Sequence, residues 1–385
     1  MAWFGRKDPL QIIGFQTYGT RDHLYARGRA LEDETIDLAQ KGTFQLLLNS
    51  WRRFETDEIR QAPLRLHLSD NRSFEMQTDS HGYFLLDETV GNLGPLANQE
   101  GWLPYEISFD FRKKTRHTIL GNNRFPGSLL IPDGNTSFGV ITDIDDTILH
   151  TGVTSYMKWQ VIANTLFKRA DRRIPLQGSA RLYHMLHRGR SGREANPVFY
   201  VSHSPWNLYR YLEFFLHNHG FPKGPILLRS MASVLGRTVE GHIPHKEHEI
   251  LNILRTYPDK PFILIGDSGE RDADIYLQVA RTHPGRILAI YLRSVRHRKK
   301  MQRVRTLIQT ETTVPVLLVD PLACPANVFR QVFPLQVVQR RIRRTHRVTP
   351  LVHVVVDAEP VLQRRGSHEL PHADGVSARV RLGVE

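Results

Sequence analysis

Asp143-Ile144-Asp145-Asp146-Thr147 places three carboxylates within four residues, directly after the apolar run Phe138-Gly139-Val140-Ile141-Thr142. If that run is a strand of a parallel sheet, the acidic residues stand where such sheets bind ligands, beyond the carboxyl ends of the strands. Like charges at short range repel, and a divalent cation relieves the repulsion. Mg²⁺ suits such a place, since it takes one or two carboxylates with water and substrate phosphate. Aspartate also favours helix N-caps. One aspartate would satisfy a cap, whereas three after a buried strand ask for more. Gly266-Asp267-Ser268-Gly269-Glu270-Arg271-Asp272 repeats the arrangement after a second apolar run. Alone it reads equally as a capped turn; beside the first cluster, Asp267 and Asp272 complete one acidic site. Ser202 ends a third run, where a hydroxyl can hydrogen-bond a phosphoryl oxygen. Lys246 opens a helical pattern and can balance both carboxylate and phosphate charge. A serine or lysine alone would be ordinary; each gains meaning from the others.

Histidines gather near these residues, at 150, 203, 242, 245 and 248. His242-x-x-His245-x-x-His248 invites a zinc reading, but Pro244 puts His242 in a loop. A histidine-rich rim around a phosphate site is the preferred reading.

The elements that must position these groups alternate in type. Val198–Val201, Ile226–Leu228, Phe262–Ile265, Ile287–Tyr291 and Val314–Val319 are short apolar runs. Between them lie helical patterns, such as Leu208-x-x-Tyr211-Leu212-x-x-Phe215-Leu216 and Ile250-Leu251-x-x-Leu254. This α/β alternation predicts a parallel sheet with helices on both faces over residues 138–322. Residues 10–120 read instead as an all-β, sandwich-like unit of alternating short strands. These are Leu24–Leu31, Leu64–Leu68, Phe74–Thr78 and Tyr83–Leu86, with Gly82 suited to a turn needing positive φ. Asp79-Ser-His-Gly82-Tyr-Phe resembles an edge hairpin of transthyretin-like sandwiches. Glycine and proline punctuate residues 121–137, which read as a linker. Residues 323–385 read as a basic tail of low order, with one strand candidate at Leu351–Val356.

A length of 385 residues suggests two or three domains. The single cysteine, Cys324, excludes an internal disulfide and zinc sites built on several thiolates. No run reaches the ~18 apolar residues of a membrane span, and Met1–Lys7 lacks the apolar stretch of a signal peptide. A cytoplasmic protein, with peripheral membrane contact at most, is expected. The net charge is +13, and from Arg286 onward 18 Lys and Arg face 7 Asp and Glu. That excess fits an anionic membrane, an acidic protein or, less well here, a nucleic acid. A solvated tail is the plain alternative.

The ordered motifs together resemble the haloacid dehalogenase superfamily, and within it the actin-patch-type phosphatidate phosphatases. The resemblance is carried by Phe138-Gly-Val-Ile-Thr-Asp-Ile-Asp-Asp-Thr-Ile148, Thr151-Gly-Val-Thr154, Asn196-Pro-Val-Phe-Tyr-Val-Ser-His-Ser-Pro-Trp-Asn-Leu-Tyr209, Gly224-Pro-Ile-Leu-Leu-Arg229, His245-Lys246 and Gly266-Asp-Ser-Gly-Glu-Arg-Asp-Ala-Asp-Ile-Tyr276. It covers about residues 120–295. His203 departs from it, where a small or amide residue is usual, as does the basic C-terminal region. The resemblance implies a Rossmann-like haloacid dehalogenase domain hydrolysing a phosphate monoester, phosphatidate to diacylglycerol foremost. It implies that Asp143 attacks phosphorus to form an aspartyl-phosphate, splitting one displacement into two. Asp145 then serves as general acid and base. Asp143, the Asp145 carbonyl and Asp267 hold Mg²⁺, with Asp272 supporting them. Ser202 and Lys246 hold the phosphoryl group, and Thr147 orders the loop.

Only 59 residues separate Asp143 from Ser202, and 44 separate Ser202 from Lys246, which leaves little or no cap. An open site admits a bulky or membrane-held substrate. Val153, Tyr156, Met157, Trp159, Pro205 and Trp206 are candidates for an apolar rim or for core. Two other readings stand beside the lipid phosphatase. One is a phosphatase for proteins, nucleotides or metabolites; the other is a membrane- or partner-binding scaffold.

Overall fold

The computed structural model describes residues 9–32, 58–111, 118–134, 136–144, 179–229, 244–268, 271–294, 298–309, 314–319 and 354–356. Asp145, Asp146, Thr147, His150, Val153, Tyr156, Met157, Trp159 and His242 lie outside them, as does all of the 323–385 region except Val354–Val356.

Alternation of side chains shapes the first part of the chain. Strands β1 (Leu10–Gly14), β2 (Gln16–Tyr18), β3 (His23–Glu32), β4 (Pro63–His67), β5 (Ser73–Gln77), β6 (Tyr83–Thr89), β7 (Trp102–Phe109) and β8 (Phe125–Leu130) form two sheets. One has the order β1-β3-β6 and is antiparallel. The other has the order β2-β8-β7-β4-β5, antiparallel except for the β2–β8 pair. Every second residue of β3 and β4 is buried, and those inward residues meet in one core with Phe84, Leu103, Ile107 and Leu129. Period-two burial is what a half-solvated strand requires. Gly82 adopts φ +74°, and Asp79 Oδ1 accepts the backbone N–H of His81 and Tyr83 around it. The reading of residues 121–137 as a linker needs revision at β8. Phe125, Leu129 and Leu130 have a core to fill, so this segment pairs along β7 despite Pro126 and Gly127.

From residue 139 the pattern changes to parallel strands with helical crossovers. The order is β9 (Gly139–Asp143), α1 (Ser179–Arg188), β10 (Val198–Pro205), α2 (Tyr209–Asn218), β11 (Ile226–Arg229) and α3 (His245–Thr256). It continues with β12 (Phe262–Asp267), α4 (Asp272–Thr282), β13 (Ile287–Arg293), α5 (Arg298–Gln309), β14 (Val316–Val319) and β15 (Val354–Val356). The seven strands lie in the order β11-β10-β9-β12-β13-β14-β15, every pair parallel. Every residue of β9 and β12 is buried. Such strands need cover on both faces. Val140, Val198, Tyr200, Ile263 and Ile265 enter one core, which α2 completes with Leu212, Phe215 and Leu216. Ile141, Phe199, Val201, Phe262 and Leu264 enter the other, closed by α3 and α4 through Ile250, Ile253, Leu254 and Leu277. The first part of the chain joins both: Ile13, Phe15 and Leu31 reach the former core, and Tyr18, Trp102 and Leu130 the latter.

Candidate active site

Asp143 is the last residue of β9 and Asp267 the last of β12. Ser202 follows Val201, which pairs with Asp143 across β10 and β9. Three adjacent strands therefore deliver Asp267, Asp143 and Ser202 to one carboxyl edge. Lys246 is the second residue of α3 and Asp272 the first of α4. All five are essentially fully buried.

The ion pairs are short. Lys246 Nζ lies 2.9 Å from Asp143 Oδ1 and 2.5 Å from Asp272 Oδ1. Asp272 Oδ2 accepts the backbone N–H of Asp267 at 3.3 Å. Carboxylate oxygens of Asp143, Asp267 and Asp272 all lie within 4.8 Å of one another. Three carboxylates against one ammonium leave two negative charges buried together, which a divalent cation would balance. Gly266 makes the cluster possible: a Cβ there would stand 2.5 Å from Asp272 Oδ2 and 2.8 Å from the Tyr276 ring. Asp272 and Asp274 also occupy the first turn of α4, where carboxylates meet the positive end of the helix dipole.

Two further contacts steady the edge. The Ser204 backbone N–H donates to Ser202 Oγ at 2.9 Å. Thr142 Oγ1 and the Tyr183 hydroxyl share a 2.6 Å hydrogen bond that ties α1 to β9 one residue before Asp143. Burial pushes the Tyr183 hydroxyl well above the usual phenol range, so it stays neutral beside Asp143. Sequence reasoning missed Tyr183, because nothing in its local spacing points to Thr142, 41 residues away.

The His203 and His245 rings lie 6.2 Å apart. Burial, and then Lys246, His245 and Arg229, hold His203 down to about 3. Burial likewise lowers His245. His248 is the exception, raised by its hydrogen bond to Glu249. Among the described residues, Asp143, Asp267 and Asp272 are the group of three that could hold a metal. Trp206, a candidate for the apolar rim, is buried core: it stacks on Phe15 with ring centroids 4.5 Å apart.

Residues 138–294 match the family described as "Phosphatidate phosphatase APP1, catalytic domain". Phosphatidate phosphatase APP1 of Saccharomyces cerevisiae is 33% identical over 223 residues, which are 57% of this chain and 36% of that protein. An uncharacterized protein of Schizosaccharomyces pombe is 29% identical over 226 residues, 58% of this chain and 34% of its own length. The chain thus spans about a third of the length of the curated relatives it matches. The crystal structure of Bacteroides uniformis beta-glucuronidase superposes with a TM-score of 0.25 at 11% identity, over 81% of this chain and 40% of that one, too low to carry an argument. The APP1 match begins one residue before β9 and ends one residue after β13, enclosing every described residue of the acidic site. Residues 138–294 of this chain are thus similar to the APP1-type phosphatidate phosphatase catalytic domain.

Proposed function

We propose that this chain is a phosphatase that hydrolyses a phosphate monoester through an aspartyl-phosphate on Asp143, with phosphatidate as the leading substrate. The observation that carries the reading is the buried convergence of Asp143, Asp267, Asp272 and Lys246 at one sheet edge, within the APP1-like residues. In this reading residues 138–322 are a haloacid dehalogenase-like domain, and residues 10–120 an all-β domain ahead of it.

The chain's own residues supply most of the chemistry. An Asp143 carboxylate oxygen attacks phosphorus while the ester oxygen leaves. Asp145 protonates the leaving oxygen and then takes a proton from the water that cleaves the aspartyl-phosphate. The Ser202 hydroxyl and the Lys246 ammonium hold phosphoryl oxygens as negative charge develops. Lys246 is already aimed by Asp272, whose second oxygen holds the Asp267 backbone. The donor set suits Mg²⁺, since buried carboxylates exceed buried ammonium by two. Asp143, the Asp145 carbonyl and Asp267 would hold it, supported by Asp272. When bound, it neutralises charge on the phosphoryl group.

No described helix is long and apolar enough to cross a membrane. A lipid substrate would be met at a surface, and the excess of Lys and Arg after Arg286 is the attraction we assign to it. A cytoplasmic location with peripheral membrane contact follows from this reading. The deciding experiment is phosphate release from phosphatidate, lysophosphatidate, a phosphopeptide and a nucleotide, with Asp143→Asn as control. Release from phosphatidate that is lost in the control supports the reading. Preference for another ester moves the substrate, and no release from any of them leaves the scaffold reading.

A further inference from the structure

We infer that Phe15 and Arg27, from the β-rich first part of the chain, are positioning residues for Ser202, acting through Trp206. The inference rests on the proposed role of Ser202 in holding the phosphoryl group. Regular pairing around Ser202 stops one residue short of it. The β9–β10 register ends at Val201 opposite Asp143. The β10–β11 register shifts between Val201 and Pro205. Ser202, His203 and Ser204 thus lie beyond the last β9 rung and, on the β11 side, within the irregularity that ends at the Pro205–Arg229 rung. The Ser204 N–H to Ser202 Oγ bond and the anchor of the chain just downstream both bear on their geometry.

That anchor comes from far away in sequence. Trp206 is buried, and its ring stacks on Phe15 at 4.5 Å with an interplanar angle of 15°. The Arg27 guanidinium carbon lies 4.4 Å from the centroid of the Trp206 ring. Phe15 also touches Tyr209, with centroids 4.4 Å apart. The Tyr209 hydroxyl accepts the Gln16 backbone N–H at 2.6 Å, and Glu213 Oε1 accepts the Gln16 side-chain amide at 2.9 Å. Aromatic stacking and cation–π contacts fix ring position as well as burying area. A displaced indole would carry Pro205 and Ser204 with it, and the Ser204 amide donates to the Ser202 oxygen. Small displacements at a site that holds a reacting group reduce rate well before they unfold the protein.

Amide hydrogen exchange of the full chain, with kcat and KM for phosphate release and thermal midpoints, tests this. Phe15→Leu and Arg27→Met should each speed exchange at His203 and Ser204 and lower kcat/KM by about tenfold or more. Exchange in β12 should stay unchanged. Trp206→Leu should do the same, and Trp206→Phe, which keeps a stacking ring, should restore most of the loss. Arg27 is only partly buried, so its variant serves if the others fold poorly. A lowered thermal midpoint with unchanged exchange at 203–204 and unchanged kcat/KM would make the contacts merely structural and overturn the inference. If the wild-type chain releases no phosphate from any substrate, the functional reading fails. The exchange data then decide the positioning inference by themselves.

Discussion

Replacing Lys246 by methionine keeps the buried stem and removes the ammonium, which makes it the most direct probe of the site's electrostatics. Lys246 Nζ stands 2.9 Å from Asp143 Oδ1 and 2.5 Å from Asp272 Oδ1, with all three side chains essentially inaccessible to solvent. At an effective dielectric of about 20, unit charges 2.9 Å apart attract by roughly 6 kcal/mol. Desolvation offsets part of that attraction. Removing one partner of a buried pair nonetheless destabilises by about 3–5 kcal/mol, because the charge left behind has no compensation. Here two carboxylates are left behind, beside a third on Asp267. For a unit of 150–250 residues, each kcal/mol shifts the thermal midpoint by about 2–4 °C, so Lys246→Met should lower it by roughly 6–20 °C. Adding Asp272→Asn removes one of the stranded charges and should return part of the loss. The double-mutant cycle should show a coupling of about 1–3 kcal/mol. Phosphate release by Lys246→Met should fall about a hundred- to a thousandfold, the usual cost of losing one charge-stabilising donor. Thermal and urea unfolding of the four proteins, with phosphate release at saturating substrate, measures each quantity. A midpoint within about 2 °C of wild type, together with additive mutations, would refute the claim that Lys246 holds this cluster together.

Asp143→Asn should abolish phosphate release while leaving the fold intact, since the amide keeps the shape but is a far weaker nucleophile; residual turnover near wild type would remove Asp143 from the chemistry. Mg²⁺ at a hundred times its dissociation constant should stabilise the folded chain by about 2.7 kcal/mol, and Asp267→Asn should lose most of that gain in thermal titrations. His203, held down to about 3 against an ordinary 6.5, contributes stability that is full above pH 6.5 and is lost as pH falls toward 3. Urea midpoints should therefore drop on acidification below 6.5, and His203→Asn should flatten that slope; an unchanged slope would exclude His203 as a cause. Replacing Arg340, Arg341, Arg343 and Arg344 by Gln, which keeps β15 in the chain, should weaken sedimentation with anionic vesicles at low salt yet leave turnover of a soluble short-chain ester unchanged; equal sedimentation of both chains would show these arginines to be bystanders.

Much of this molecule was legible in one dimension, because short-range chemistry dictates it. Short continuous apolar runs bounded by turn residues fit strands buried on both faces. Phe262–Ile265 and Val198–Val201 accordingly became neighbours of β9 in the sheet centre. Period-two alternation marked β3 and β4 just as clearly. Asp143 and Asp267 announced themselves because carboxylates are costly beside such runs. Glycine and proline, in contrast, misled at Phe125–Leu130, where burial of three apolar side chains outweighed the turn-like composition. Three matters needed the tertiary structure. Strand order decided that Ser202, Asp143 and Asp267 share an edge, since pairing partners lie up to 123 residues apart and no local preference selects them. The partnership of Lys246 with Asp272 and Asp143 depended on how α3 and α4 sit on the sheet. Phe15 and Arg27 were indistinguishable in sequence from other strand residues of the first segment. Only folding brings them onto Trp206, because a ring stack is specified by shape and position in space and leaves no periodic trace along the chain.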